Sequence, residues 1–505
     1  MNRRSCMTRR RNALGSGDRT LWNLTVAVLA TLVAVGFPRA ADAQGVTPTF
    51  DRTRAPALGP APTLTVPRVQ TSTLANGPAI RLVEQRELPL VQIILSVAGG
   101  ARLDRDDAGL ISFVANLLDE GAGTRDANAL QGELAFLGAS LSTGASWDAT
   151  TISLKVSRRN LDAALDLMAD VVLRPTFAAS EVTRQRDLRL AALLQQKDQP
   201  AALASLAVAQ TLFPEGHPYR RSASGDSSTT ARLDSATVRA AYQGAIRPER
   251  ATFYVVGDIT LDEARTALER RFGTWRASGE ERRPAPVLVT TQRASGVRLI
   301  LVDKPGAAQS VINIVSPGVE RTTGDYAAIE VMNTILGGSF SSRLNTLLRE
   351  TKGYTYGISS GFAYRPLPGP FTVSTAVRTD VTDSSLVDIF RELRAIRETQ
   401  VSDAELERAK AYLGLAVPGD LETIGQVASE IATLALWNLP IEYLAEYVQR
   451  VGQVSAADVQ RVARAFAPAE NAWVIVVGDL AKIRTPIERL GLGTVTVREV
   501  GSLTR

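Results

Sequence analysis

The strongest constraint on this chain is that it repeats itself. The segment RPERATFYVVGDIT (247–260) is answered by APAENAWVIVVGDL (467–480), which sets Val256-Gly257-Asp258 against Val477-Gly478-Asp479 at an offset of 221 residues. Earlier in each half, AIRLVEQRELPLVQIILSVAGGARLDRDDAGL (79–110) and GVRLILVDKPGAAQSVINIVSPGVERTTGDYAAI (296–329) follow one plan. Each reads as a strand, a charged turn, a second apolar strand, a glycine and a charged loop into a helix. Gly100 and Gly318 lie 218 residues apart, so the register holds through the half. Two matches at nearly one offset imply two copies of one supersecondary plan.

Within a half, DATTISLKVS alternates as a strand does. NLDAALDLMADVVL carries Leu161, Ala164, Leu165 and Met168 at helical spacing, and DLRLAALLQQ and AALASLAVAQTLF read as helices. Strands in hairpin-like order with helices beside them predict an α+β class. The expected fold is two homologous α/β-sandwich domains, each a mixed, mainly antiparallel sheet with helices on one face. The charged, proline-containing stretch RASGEERRPAPVLVTTQRASG suggests a linker over 278–295, between an N-terminal domain at 68–277 and a C-terminal domain at 296–505.

The first 43 residues read as an export signal. They hold seven arginines and two acids, then the apolar run LWNLTVAVLATLVAVGF, then Ala41 and Ala43 in the small-residue pattern before a cut after Ala43. Cleavage leaves no stable membrane span, and the expected location is periplasmic or secreted. The rival is an uncleaved anchor, because the run reaches the short limit of a span. Residues 44–67 are proline-rich and read as an extended leader, not a packed element. Outside the signal 50 basic and 50 acidic residues balance, which argues against a nucleic-acid footprint. The single cysteine, Cys6, lies in the signal, so the mature chain carries no disulfide or cysteine–metal site.

The helix of GLISFVANLLDEGAGTR (109–125) buries Leu110, Phe113, Val114 and Leu117, with Ile111 and Leu118 on the flanks. Ser112, Ala115, Asn116 and Asp119 share the other stripe, which periodicity alone reads as a solvent face. Asp119 and Glu120 are expected to meet water at the helix end.

At this point the chain resembles the M16 peptidases: pitrilysin, insulin-degrading enzyme and the mitochondrial processing peptidase. The flanks LPLVQIILSVAGGARLDRDDAGL and GAGTR carry the likeness. The family has H-x-x-E-H on this helix, two zinc-binding histidines and a general-base glutamate. The resemblance implies the LuxS/MPP-like metallohydrolase type of fold, and it sets Ser112, Ala115 and Asn116 at the motif positions. The family's third ligand, a glutamate, falls at Ala192 in TRQRDLRLAALLQQKDQPAALA, with Ala191 and Leu193 within alignment error. All four chemical positions are thereby degenerate. With one histidine in the whole chain, H-x-x-E-H is impossible. That histidine, His217 in FPEGHPYRR, resembles the family's structural HPYGRP stretch. The resemblance therefore implies neither catalytic residues nor a metal in this chain.

In the second half, LGGSFSSRLNTLLRETKGYTYGISSGF reads as a glycine-rich loop (Gly337, Gly338) into a helix, a turn and a strand. The family places an Arg and a Tyr seven residues apart here, gripping the substrate backbone opposite zinc. Arg349 and Tyr356 have that spacing. A guanidinium and a phenol both donate to peptide carbonyls. The plain alternative pairs Arg349 with Glu350 and packs Tyr356 in a strand. GISSG (357–361) fits the nucleophile elbow G-x-S-x-G, but strand and turn follow it, and the only histidine lies upstream.

The resemblance implies a non-catalytic subunit of an exported M16B-type zinc peptidase heterodimer. It would bind and orient peptide for a partner that carries H-x-x-E-H and the zinc. The alternative is a stand-alone peptide-binding or assembly module. A third reading, an active enzyme with an unrecognised site, requires chemistry without histidine, cysteine or zinc ligands in the cleft.

Overall fold

The protein is described as a computed structural model covering residues 64–287 and 291–504. The signal, Cys6 and all but the last four residues of the leader lie outside the described residues. Among those residues no helix is long and apolar enough to cross a membrane.

Two six-stranded sheets carry the fold. The first uses β1 (Gln70–Thr73), β2 (Ala79–Glu84), β3 (Leu90–Ala98), β4 (Ser140–Ala145), β5 (Ala149–Ser157) and β6 (Ala251–Gly257), in the order β1-β2-β6-β3-β5-β4. The second uses β7 (Val297–Asp303), β8 (Gln309–Pro317), β9 (Thr355–Phe362), β10 (Pro370–Arg378), β11 (Ala472–Gly478) and β12 (Thr494–Arg498), in the order β9-β10-β8-β11-β7-β12. Read from opposite ends the two orders coincide. In each sheet a central parallel pair, β2–β6 or β7–β11, joins an antiparallel neighbour, β3 or β8. Only one edge differs. It is filled by β1, antiparallel and from upstream, in the first sheet, and by β12, parallel and from the chain's last residues, in the second.

The repeated glycines mark the same joint. A Cβ on Gly100 would meet the Ser146 carbonyl at 2.3 Å, and one on Gly318 would meet the Gly369 carbonyl at 2.7 Å. Ser146 lies on the β4–β5 turn and Gly369 on the β9–β10 turn, so each sheet's long strand ends against its own hairpin.

The helices used below are α1 (Leu110–Leu117), α2 (Leu161–Leu173), α3 (Ala179–Gln196), α4 (Pro200–Leu212), α5 (Leu261–Phe272), α6 (Tyr326–Asn333), α7 (Thr382–Glu398), α8 (Asp403–Gly419) and α9 (Ile424–Leu436). One face of the first sheet, through Ile93, Leu95, Leu154 and Val255, packs on α1, α2 and α5 of its own half. One face of the second, through Leu301, Ile314 and Val476, packs on α6 and α7. The opposite faces are covered as well, by exchange. Leu203, Ala204 and Ala207 of α4 pack on Ile300, Val302, Ile475 and Val477 of the second sheet. Val427, Ala428, Ile431 and Leu434 of α9 join Ile94, Tyr254 and Val256 of the first sheet. This exchange explains why ATFYVVG and AWVIVVG are apolar without alternation: both faces of these strands are buried.

One expectation needs correction. The end of the proline-rich leader is packed: Leu64 and Val66, with Val69 just beyond it, lie against the core that the second half shares with Ile94, Tyr254 and Val256 of the first sheet. Between Trp275 and β7 the described residues, 276–287 and 291–296, form no helix or strand. The first of these segments is nonetheless tied down, with the Arg282 guanidinium donating to the carbonyls of Leu103 and Asp104, each at 3.0 Å.

Candidate functional site

Helix α1 is built from its N-terminus. Gly109 has φ 84°, and a Cβ there would come within 2.5 Å of the Ser224 carbonyl, so glycine is required on both counts. The buried Asp104 carboxylate accepts the backbone N–H groups of Gly109 and Ile111, both at 2.8 Å, and so caps the free donors of the first turn. Burial pushes this carboxyl up to about 7, against the pull of those two hydrogen bonds and of Arg282 and Arg189.

The expected apolar face is buried, and so are two of the four residues on the stripe assigned to solvent. Ala115 is 0% exposed and Ser112 is 8% exposed, its hydroxyl donating to the Gly109 carbonyl at 3.2 Å. Of the motif positions only Asn116 is open. Asp119 and Glu120 do not simply face water either. Thr143 donates to Asp119 at 3.2 Å, and Arg184 and Gln185 both donate to Glu120. Periodicity could not reveal this, because the covering strand β4 and helix α3 arrive from elsewhere in the chain.

The position opposite the motif also differs from expectation. Ala192 is exposed. The residue of α3 that reaches α1 is Arg189, three positions earlier. Its guanidinium donates to the Gly109 carbonyl at 2.8 Å and lies 4.9 Å from the centre of the Phe113 ring. With the Asn116 amide oriented to satisfy both its ends, its oxygen accepts from Arg189 at 3.1 Å and its nitrogen donates to the Ser112 carbonyl at 3.2 Å. Burial lowers the Arg189 pKa to about 10, with Asp104 opposing, so the group stays cationic at neutral pH. The spacing of the family's ligands points to Ala192 and carries no signal for Arg189, whose place depends on how α3 crosses α1.

These residues do not fit a zinc ion. Neutral hydroxyl and amide groups are weak ligands beside the imidazole, thiolate and carboxylate that bind zinc. Here both are committed to backbone carbonyls, and a fixed guanidinium would repel a dication at a few ångströms. His217 is elsewhere and 4% exposed. It stacks on Phe213 with ring centroids 4.6 Å apart, and its Nδ1 accepts the Tyr219 backbone N–H at 3.0 Å.

The second half presents an open cluster. Arg349 lies on a wide helical turn, Thr346–Thr351, with its guanidinium 4.6 Å from the Phe340 ring centre and 5.0 Å from that of Tyr356. Tyr356 is 87% exposed and Phe340 64% exposed. Tyr356 sits on edge strand β9, within the register irregularity between Thr355 and Ile358, and so is not packed in the sheet. Arg349 does approach Glu350, at 3.2 Å, as the plain alternative required. An exposed pair of this kind contributes only about 0–1 kcal/mol and gives way easily to a better acceptor. Phe340 was in plain view in LGGSFSSRL but was not singled out.

Gly337 and Gly338 do not form an open loop. They close a wide turn, Thr334–Gly338, that extends α6. Gly337 is buried, with the Ser360 backbone nitrogen 2.7 Å from where its Cβ would stand. Close packing, not ligand contact, explains that glycine.

Comparison with known proteins now places the chain. The family profile "Insulinase (Peptidase family M16)" matches residues 81–221, and "Peptidase M16 inactive domain" matches 232–413. The chain belongs to the M16 peptidase family. An uncharacterized zinc protease of Mycobacterium tuberculosis H37Rv is 28% identical over 364 residues, which is 71% of this chain and 81% of that protein. A Schizosaccharomyces pombe relative, named as a probable mitochondrial-processing peptidase subunit beta, is 24% identical and covers 83% of this chain and 93% of its own length. Among solved structures, a peptidase M16 inactive domain from Pseudomonas fluorescens superposes with TM-score 0.75 at 25% identity, over 81% of this chain and 98% of that one. The fold recurs in a Helicobacter pylori protease, with TM-score 0.75 at 18% identity over 82% of this chain and all of that one. This M16 chain thus has relatives named as zinc proteases, while its own motif positions hold Ser112, Ala115 and Asn116.

Proposed function

We propose that this M16 chain is the non-catalytic subunit of an exported zinc peptidase pair, binding extended peptide for a partner that carries H-x-x-E-H and its zinc. The observation that carries the reading is the contrast at the two candidate sites. Arg189 is bonded into the motif helix where a metal site would need ligands, whereas Arg349 and Tyr356 stand on an open edge. The relative named as a peptidase subunit supports a shared assembly. The export signal in residues 1–43 supports a periplasmic or secreted location.

The chemistry asked of this chain is positioning. Strand β9 offers unpaired backbone groups along a sheet edge, to which an extended peptide can add. Arg349 and Tyr356 then donate to peptide carbonyls without reading side chains. Holding the peptide beside a partner's metal lowers the entropy lost in reaching the transition state.

The test is reconstitution. The lone chain should cleave no peptide, and mixing it with an M16 chain that carries H-x-x-E-H, sought first in the adjacent gene, should produce zinc-dependent cleavage. Peptide binding by the lone chain with no gain of activity from such a partner would favour a stand-alone binding module instead.

A further inference from the structure

The open cluster of the second half is kept open by three local departures from regular backbone. The wide turns Thr334–Gly338 and Thr346–Thr351 stand on either side of Phe340 in the chain, and the second carries Arg349. Wide turns of this kind recur at functional sites. The third departure is on strand β9. Ile358 and Ser360 are buried, and alternation would set Tyr356 on their face. Between Thr355 and Ile358 the strand carries one residue more than β10 does opposite, and this bulge turns Tyr356 outward.

Phe340 is exposed without being loose. The Asn345 side-chain amide donates to its carbonyl at 2.7 Å, and the Ser342 backbone N–H donates to the Ser339 carbonyl at 3.1 Å. The Ser339 hydroxyl donates to the Thr334 carbonyl, also at 3.1 Å. A ring on a backbone held this firmly has little freedom left to lose when something covers it. Phe340 and Tyr356 approach one guanidinium, so they form one patch and are not two scattered surface residues.

Charge does not choose the occupant of this patch. Glu350 lies 3.2 Å from Arg349, so the pair is neutral overall. A basic side chain would meet Arg349, and an acidic one would meet Glu350. Along the rest of β9 little stands in the way. Gly357, Ser359 and Gly361 alternate with the buried residues, and a Cβ on Gly361 would meet nothing within 4 Å. A peptide laid on this edge finds one apolar grip and otherwise nearly bare backbone.

We propose that the cluster selects peptides by a single large apolar or aromatic side chain, seated against Phe340 and Tyr356, with Phe340 as the specificity-determining residue. This rests on the peptide-orienting reading of Arg349 and Tyr356 and adds to it the class of peptide held.

The test uses the intact chain and short labelled Ala/Ser peptides that differ only at a central position, which holds Phe, Leu, Ala, Lys or Glu. Fluorescence anisotropy should show the Phe and Leu peptides binding about tenfold more tightly than the other three. Phe340→Ala should bring the Phe peptide to within about twofold of the Ala peptide, whereas Phe340→Leu should keep most of the preference. Arg349→Ala should weaken every peptide. Equal affinities across the set, or a preference that survives Phe340→Ala, overturns the proposal, and a uniform loss with Arg349→Ala then leaves the orienting reading standing. No peptide bound at millimolar concentration, or no weakening by Arg349→Ala, overturns that reading and the proposal with it.

Discussion

The two halves share a sheet order but differ in what their corresponding helices leave open. In the first half, α1 and α3 close on each other through Arg189, Asn116 and the Gly109 carbonyl, and Ala115 has no exposed surface. In the second half, the turn after α6 and strand β9 leave Phe340, Arg349 and Tyr356 facing outward. The difference teaches that a duplicated scaffold does not keep its surfaces in step. A site can be lost on one copy by filling it with a side chain from a neighbouring helix, while the other copy keeps an accessible donor cluster.

The largest expected effect tests what the halves have in common. Each lends a helix to the other's sheet, so truncating either helix should destabilise both halves together. Leu203→Ala in α4 and Ile431→Ala in α9 should each cost about 2–5 kcal/mol. Urea unfolding followed by fluorescence and circular dichroism should show one transition, shifted, in both variants. Two separated transitions would mean that the halves fold independently and that the exchange is superficial.

The next effect separates the two sites. In a reconstituted pair, Arg349→Ala should lower kcat/KM by roughly 10- to 100-fold, the equivalent of one or two charge-assisted hydrogen bonds. Assembly should survive on a sizing column. Arg189→Ala should leave turnover within about twofold but lower stability by roughly 1–3 kcal/mol, since its carbonyl and amide partners lose a buried donor. Reversed outcomes would exchange the roles assigned to the two halves.

Asp104 gives a subtler probe of the closed site. Its folded pKa of about 7 lies above the ordinary carboxylate value. The folded state therefore binds the proton more tightly than the unfolded chain does. The stabilisation from that proton is complete below about pH 4 and is lost as pH rises through about 7. Asp104→Asn keeps an acceptor and removes the titration. Relative to that variant, the wild-type urea midpoint should fall between pH 4 and 7, and parallel curves would show that Asp104 does not titrate there. The smallest effect is on the open side. Tyr356→Phe should reduce kcat/KM only about 3- to 10-fold, as expected for one neutral hydrogen bond.

Much of this fold was legible in the chain itself. The offset of 221 residues aligned strands that occupy equivalent places in the two sheets, and helical spacing found the buried face of α1. Contacts between distant segments were harder to read. AALASLAVAQTLF is apolar nearly all round, the mark of a helix buried on several sides, but nothing local says that it lies under the other half's sheet. Ser112 and Ala115 looked solvent-facing because small residues suit either a wet surface or a close helix crossing. Arg189 lies three residues before Ala192, and only the orientation of α3 shows that it, and not Ala192, meets Asn116. The Arg349–Tyr356 spacing was visible, whereas Phe340 beside it and the packed state of Gly337 were not.

The central claim is that the first half's metal site has been replaced, not merely weakened. Its most direct test is zinc content by mass spectrometry of the purified lone chain after dialysis against micromolar zinc, with peptide cleavage assayed on the same sample. The account predicts far less than one zinc per chain and no cleavage. One tightly held zinc per chain, removed by chelator together with peptide-cleaving activity, would contradict it.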